Sequence, residues 1–407
     1  MRTHLKTKLI ALSLFGLTTA AVFYYPALNS AVTVAPAIPP APDQISLPDA
    51  AQHPVIEAVF VLDTTGSMGG LIQAAKDKIW SIASTMAAAQ PAPEIRMGLV
   101  AYRDRGDDYV TRVVGLSSDL DAVQAELMQF QAQGGGDGPE SVNQALDEAL
   151  HRIAWSQDAR TYRVIFLVGD APAHLDYPND VPYPQTLAKA KARGIRVNAI
   201  QCGNLSDTST EWRQIAQLGD GGFFQVDQAG SAVAIATPYD DTLAKLAADL
   251  DDTRLYYGKP VERAEKREKL AAAKESQAAA SPAALARRAG FVTSKSGGAS
   301  LLGEKELVEE VASGRVDLAT LPADELPESL ADLDLETQRD RVSKSAAKRE
   351  ELRHRIQDLS AQRADYLKKT LEAEGGAEDS LDHKIFNAVR QQAAGVGLSY
   401  DKAAPAY

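Results

Sequence analysis

The chain has 407 residues, 45% of them hydrophobic and 24% charged, a globular balance in a length sufficient for two or three domains. Its formal net charge is -12 and it has no Lys/Arg block, which argues against a basic nucleic-acid face and a nucleic-acid partner. The only cysteine, Cys202, cannot form an internal disulfide; closing the apolar run Ile195 to Gln201, it reads as a buried structural thiol.

Residues Met1 to Lys8 carry Arg2, Lys6 and Lys8 and no acid, and Leu9 to Tyr25 is almost free of polar side chains. This pattern reads as a secretory signal or an N-terminal anchor, with small residues for cleavage at Asn29-Ser30-Ala31. The apolar run is short for a membrane-spanning helix. Either reading places the protein in the periplasm, the cell envelope or outside the cell, with membrane contact only through the possible anchor. Val32 to Pro54 is rich in Ala and Pro and predicts an extended tether. The first boundaries are therefore 1–31 and 32–54.

From Val55 to Asp251 strand and helix patterns alternate, which predicts an α/β fold: a doubly wound, mostly parallel sheet with helices on both faces. Strands are expected at Ile56–Leu62, Ile95–Tyr102, Tyr109–Gly115, Tyr162–Val168, Arg196–Gln201 and Gly222–Val226. Helices are expected at Gly69–Ala89, Leu120–Gln131, Ser141–Arg152, Tyr183–Arg193, Thr210–Leu218 and Tyr239–Asp251. The Tyr109 strand follows its predecessor after a short loop, so it should be an antiparallel edge. Gly194 and Gly219 fall just past helix ends, where a left-handed residue is wanted. This domain is set at 55–257. Residues 258–300 are expected to form a charged, Ala-rich solvated helix over Glu262–Ala289 and a Gly/Ser linker over Ser294–Ser300. A helical C-terminal region spans 301–400, with Asp401–Tyr407 fraying. Within it Leu335–Glu374 is a long helix on which Leu352, Ile356, Leu359, Arg363 and Tyr366 make one heptad-like stripe, a coiled-coil-type pattern read as a core or helix-pairing face.

The most informative stretch is Val59-Phe60-Val61-Leu62-Asp63-Thr64-Thr65-Gly66-Ser67-Met68-Gly69-Gly70. A strand buried on both faces breaks on Asp63, and oxygen-bearing side chains follow at two-residue steps: Asp63, Thr65 and Ser67. A turn leaving a strand can aim alternate side chains at one point, and one carboxylate with two hydroxyls is a partial shell for a hard divalent cation. The plainer reading is a helix cap before Gly69.

These residues resemble the metal-ion-dependent adhesion site of von Willebrand factor A domains, whose pattern is Asp-x-Ser-x-Ser with a distant Thr and a distant Asp. Thr65 replaces the first Ser. Three more segments agree in order: Met97 to Asp104, Gly134 to Glu140, and Ile165 to Asp170. The resemblance covers about Pro54 to Asp251. It implies that Asp170 meets the metal directly or through water. Where many members present a Thr, Gly138 stands instead. Asp137-Gly138-Pro139-Glu140 resembles the Asp-x-Pro-Glu loop in the A-like domains of β integrins, which makes Glu140 a candidate direct ligand and Asp137 a ligand to the outer shell or to a second ion. A plain turn is the alternative for this loop.

Arg105-Gly106-Asp107 is the tripeptide that integrins recognise, but Gly-Asp also suits a turn. His174 reads first as a loop histidine, and with Asp104 it is a candidate base for a metal enzyme. The reading this leads to is an exported, metal-dependent binding protein with no catalytic residue. Mg²⁺ is the expected ion, with Mn²⁺ or Ca²⁺ as alternatives, and the partner is a protein that presents an Asp or Glu. The alternatives are a metal-dependent hydrolase on the same site, or an architectural protein whose C-terminal helices make the contacts.

Overall fold

In a computed structural model of the chain, which describes residues 54–228, 235–373 and 380–401, the apolar run Val55–Asp63 is strand β1, buried from Ile56 to its end. Burial on both faces is what a central parallel strand requires. Strands β2 (Glu94–Tyr102), β4 (Tyr162–Gly169), β5 (Ile195–Cys202) and β6 (Phe223–Val226) run parallel to it. Strand β3 (Thr111–Ser117) is the antiparallel edge, and the order is β3-β2-β1-β4-β5-β6. The signal or anchor, nearly all of the Ala/Pro tether and residues 402–407 lie outside the described residues.

Alternate side chains of β1 serve two layers, as a period of two dictates. Ile56, Ala58, Phe60 and Leu62 join the core formed with helices α1 (Gly69–Ala87), α2 (Leu120–Gln129) and α6 (Asp240–Asp251). Val59 and Val61 join the core formed with α3 (Val142–His151), α4 (Tyr183–Ala192) and α5 (Ser206–Leu218). Helix α5 starts four residues before the expected Thr210. Gly194 is left-handed as expected (φ 66°), but Gly219 is not (φ -81°), and the left-handed residue there is Asp220 (φ 53°). Gly219 is demanded by packing instead: a Cβ on it would come within 2.6 Å of the Val197 Cβ.

The second half of the chain departs most from expectation. Glu262–Ala289 is two helices, α7 (Pro260–Ala279) and α8 (Pro282–Val292). Pro282 opens the second, and Ser281 Oγ accepts from the Ala284 N–H. Only α7 has the solvated character expected. Ala286, Ala289, Phe291 and Val292 of α8 are buried in the core of α1, with Phe291 against Trp80 at 5.7 Å between ring centroids. Ser294–Ser300 is no free linker, because Ser296 and Ser300 are buried and the chain turns into the short helix α9 (Gly298–Leu302). Helices α10 (Leu307–Ala312) and α11 (Glu328–Ala331) lead to α12 (Leu335–Ala373) and α13 (Leu381–Ala393). On α12 the stripe starts as expected at Leu352 and Ile356, but Leu367 is buried where Tyr366 is 39% exposed. A straight helix turns every 3.6 residues, so a 3.5-residue stripe drifts off its face. The stripe packs inside the chain, and the described residues form one compact unit.

Buried ion pairs tie the late helices to one another and to the early ones. Arg288 of α8 donates to Asp121 of α2 at 2.6 and 2.5 Å and to Asp251 of α6 at 3.0 Å. Burial would raise the Asp121 pKa, but the Arg288 guanidinium outweighs it and holds the carboxyl below its ordinary value. Arg349 of α12 grips both oxygens of Glu306 at 2.8 Å, and Arg363 donates to Asp240 at 2.8 Å. Removing one partner strands a buried charge. Arg288→Ala should therefore cost about 3–5 kcal/mol in urea unfolding. Arg267→Ala, which breaks the exposed pair with Glu328, should cost less than about 1 kcal/mol.

Candidate metal centre

β1 and β4 are neighbours, but the chain leaves β1 for β2 on one side, and β4 leads to β5 on the other. Loops diverge at such a point and open a crevice beyond the carboxyl ends of the strands. Asp63 is the last residue of β1, and Asp170 follows the last residue of β4. Leu62 pairs with Val168, so Asp63 and Gly169 sit side by side at the rim. The fit is tight: a Cβ on Gly169 would lie 2.5 Å from the Tyr102 hydroxyl, 2.9 Å from the Asp63 Cβ and 3.0 Å from the Trp212 ring.

Asp63 Oδ1 accepts from the Thr65 N–H at 2.8 Å and from its hydroxyl at 2.6 Å, while Oδ2 is buried with no partner. Thr65 Oγ1 lies 3.3 Å from Ser67 Oγ. Neither Thr65 nor Met68 makes a side-chain cap where the helical turns begin, so the cap reading does not account for these groups. The turn is held from below. Thr64 donates twice to the Tyr102 carbonyl at 2.8 Å, through its N–H and its hydroxyl. Arg103 Nε donates to the Thr64 carbonyl at 3.2 Å.

Glu140 enters from the loop before α3. Its N–H donates to the Pro172 carbonyl and its carbonyl accepts from the His174 N–H, both at 2.9 Å, so the loop is stitched to the segment after β4. Glu140 Oε2 is buried without a partner. Gly135, left-handed at φ 78°, separates Glu140 from Thr65, and a Cβ there would meet Glu140 Oε1 and the Thr65 Cβ, each at 3.3 Å. Asp170 Oδ2 accepts from Gln228 Nε2 at 2.6 Å, and the same amide reaches the Ser67 carbonyl at 3.3 Å. The structure thus gathers Asp63, Thr65, Ser67, Asp170 and Glu140 around one crevice.

Electrostatics show what this costs. Burial, and then the nearby Asp170 carboxylate, push the Asp63 pKa up to about 7 against the pull of the Thr65 hydrogen bonds. Burial, and then Asp63, Asp104, Asp107 and Asp170, push Glu140 up to about 9. Hard oxygen donors, two of them buried carboxylate oxygens that no group among the described residues satisfies, suit a hard divalent cation.

Asp137 goes elsewhere. Its side chain is 62% exposed, and its Oδ1 is 3.5 Å from His174 Nε2, which is itself 3.4 Å from Asp104 Oδ2. These three make a neighbouring cluster that is a possible metal site. Burial would lower the His174 pKa, but its bond to Asp176 and the Asp104 and Asp137 carboxylates outweigh that and hold it above its ordinary value. The Arg105-Gly106-Asp107 tripeptide is used internally. Asp107 Oδ2 accepts from the N–H groups of Gly135 at 3.0 Å and Asp104 at 3.2 Å, and Arg105 pairs with Asp180. Cys202 is a buried free thiol, as expected. Tyr102, Asp107, Gly169 and Gln228 all shape the crevice, and sequence reasoning does not single them out as site residues. Gly169, set directly before Asp170, is the one whose position in the sequence carries a hint.

Residues 57–236 match a family model described as von Willebrand factor A domain. Over 97 residues, 24% of this chain, the sequence is 38% identical to von Willebrand factor A domain-containing protein 7 of Rattus norvegicus. The chain spans about a tenth of the length of the curated relatives it matches. Among solved structures, the SpRpn10 VWA domain is 14% identical with a TM-score of 0.34, over 43% of this chain and 88% of that one. Proximal thread matrix protein 1 from the mussel byssus, solved with a zinc-occupied MIDAS motif, is 16% identical with a TM-score of 0.34 over 42% of each chain.

Raised carboxyl pKa values set a stability slope. Between the unfolded value near 4 and the folded values of about 7 and 9, the folded state holds protons that the unfolded state has released. Metal-free protein should therefore lose stability as pH rises from about 5 to about 9. His174, also raised, acts in the same direction. Thermal melts in chelator should show this fall, and Glu140→Gln should flatten its upper part. Gly169→Ala should disturb Asp63 directly, lowering both the melting temperature and the response to Mg²⁺.

Proposed function

Starting from a chain that carries a von Willebrand factor A domain over residues 57–236, we propose that it is a metal-dependent protein-binding module, exported to the cell envelope. In this reading Asp63, Thr65 and Ser67 hold the cation, with Asp170 and Glu140 completing the acidic side. The ion supplies a Lewis-acidic position that a carboxylate from a partner protein can take. The observation that carries the reading is the pair of buried, unpartnered carboxylate oxygens, Asp63 Oδ2 and Glu140 Oε2, at one crevice. Ionising Asp63 in that setting costs on the order of 4 kcal/mol at 1.36 kcal/mol per pKa unit, and a cation offsets the cost.

Thr65 and Ser67 add no charge to the shell, and an outside Asp or Glu that displaces a water would bond the ion directly. A short, desolvated, charge-assisted bond of this kind can dominate a small interface. His174 supports binding over hydrolysis. Its one unpartnered nitrogen, Nε2, points between Asp104 and Asp137, toward that neighbouring cluster rather than toward Asp63. Export rests on the basic start and apolar run of Met1 to Tyr25. Protein taken from its native envelope should begin near Val32 if the run is cleaved, or keep Met1 and stay with the membrane if it is an anchor. Recovery from the cytoplasm with Met1 intact contradicts export.

Saturating Mg²⁺ or Mn²⁺ should raise the stability of the full chain, by about 2.7 kcal/mol at a hundredfold excess over Kd. Asp63→Ala and Asp170→Ala should each lose most of that gain. Capture of a partner from envelope extract should fail in chelator and with Asp63→Ala. A wild-type melting curve indifferent to either ion refutes the metal reading. Capture that survives Asp63→Ala points to the C-terminal helices as the binding surface.

A further inference from the structure

His174 is 7% exposed, and its position is over-determined. Its backbone N–H donates to the Glu140 carbonyl at 2.9 Å, and its carbonyl accepts from Asn143 Nδ2 at 2.8 Å. Its ring stacks on Tyr177 with centroids 4.1 Å apart. Its Nδ1 lies 2.8 Å from Asp176 Oδ1, which leaves Nε2 as the working nitrogen. Nε2 is buried and makes no hydrogen bond. It points between Asp104 Oδ2 at 3.4 Å and Asp137 Oδ1 at 3.5 Å.

We propose that His174, Asp104 and Asp137 form a second cation site, distinct from the Asp63 crevice and suited to zinc. The donor set differs in kind: an imidazole nitrogen with two carboxylates selects a transition ion over Mg²⁺. The spacing agrees. Ligands about 2.1 Å from a tetrahedral ion stand about 3.4 Å from one another, and the two edges at His174 are 3.4 and 3.5 Å. The surroundings agree as well. Zinc-binding histidines hand their other nitrogen to an acceptor and zinc-binding carboxylates are themselves hydrogen-bonded. Here Asp176 takes Nδ1, while Ser141 Oγ (2.9 Å) and the Tyr177 hydroxyl (2.7 Å) orient Asp104. Asp137 is the exposed member, and it brings the third ligand from the loop that carries Glu140. Three protein ligands leave one tetrahedral position to water. Zinc here ties the 137–140 loop to the segment after β4, beside the crevice but without sharing a ligand with it.

The test is zinc titration of the full chain by calorimetry, with the Asp63 site saturated by Mg²⁺. Wild type should bind one zinc, and Asp63→Ala should bind it as well, which separates this site from the proposed adhesion-type ion. His174→Gln and Asp137→Asn should abolish the binding. Asp176→Asn, which removes only an outer partner, should weaken it by about 10–100-fold. Cobalt in place of zinc should give a visible absorption band that disappears with His174→Gln. Asp137 is exposed, so its variant reports on the site even if His174→Gln disturbs folding. Zinc binding that Asp137→Asn and His174→Gln leave unchanged, or that Asp63→Ala alone removes, overturns the proposal.

Discussion

Asp63 and Glu140 each bury a carboxylate oxygen that no donor among the described residues reaches, at the one place where the sheet reverses its winding. Two negative groups in a low-dielectric pocket repel, and each keeps its proton well past the usual range. Much of the surrounding structure keeps them there. Thr64 locks the exit of β1 to β2, Gly169 makes room beside Asp63, and the backbone of Glu140 is bonded on both sides to the segment after β4. Asp107 accepts from the Gly135 N–H and fills the space that a Cβ on Gly134 would need; both glycines are left-handed, and Gly135 spaces Glu140 from Thr65. This framework stores electrostatic tension that a bound cation would release.

The late helices solve a different problem. The α1, α2 and α6 side of the sheet would leave a wide apolar face in water, and α8, α12 and α13 cover it with Phe291, Leu352, Ile356, Phe386 and Val389. Three arginines fix the cover in place, each against a carboxylate from another element. Apolar surface supplies the driving force and is indifferent to register. Planar guanidinium groups accept only certain geometries, so the pairs select one seating of α8 and of α12.

Sequence reasoning reaches the sheet, its antiparallel edge and the Asp63–Ser67 turn because each is a local pattern: an apolar run, a short loop, a two-residue step. Asp170 stands out only through the family resemblance, because an Asp at a strand exit is by itself a plain turn former. Glu140 and Asp137 share one loop, but their separate destinations depend on a backbone bridge to Ala173 and on His174, both more than thirty positions away. Helix α8 misleads because Arg287 and Arg288 look like solvent-facing residues. Arg288 is wholly buried, its charge offset by Asp121 and Asp251 on two other helices, and no local pattern announces such partners. Tyr366 misleads because a heptad extrapolates past the point where a straight helix leaves it.

A parallel strand has a head and a tail, and here the chain enters at the tail. Pro54 accepts a bond from Glu94 at the amino end of β1, and Ser399 is paired with Gln90 just ahead of β2, so the described chain starts and ends at the same pole of the sheet. Asp63 stands eight residues further along β1, about 26 Å away at the rise of an extended strand. The acidic crevice therefore lies at the pole of the sheet opposite residue 54. A pull applied between Pro54 and Asp63 runs lengthwise along β1, a strand flanked on both sides. It loads β1 in shear against β2 and β4, so their hydrogen bonds share the force instead of opening one after another.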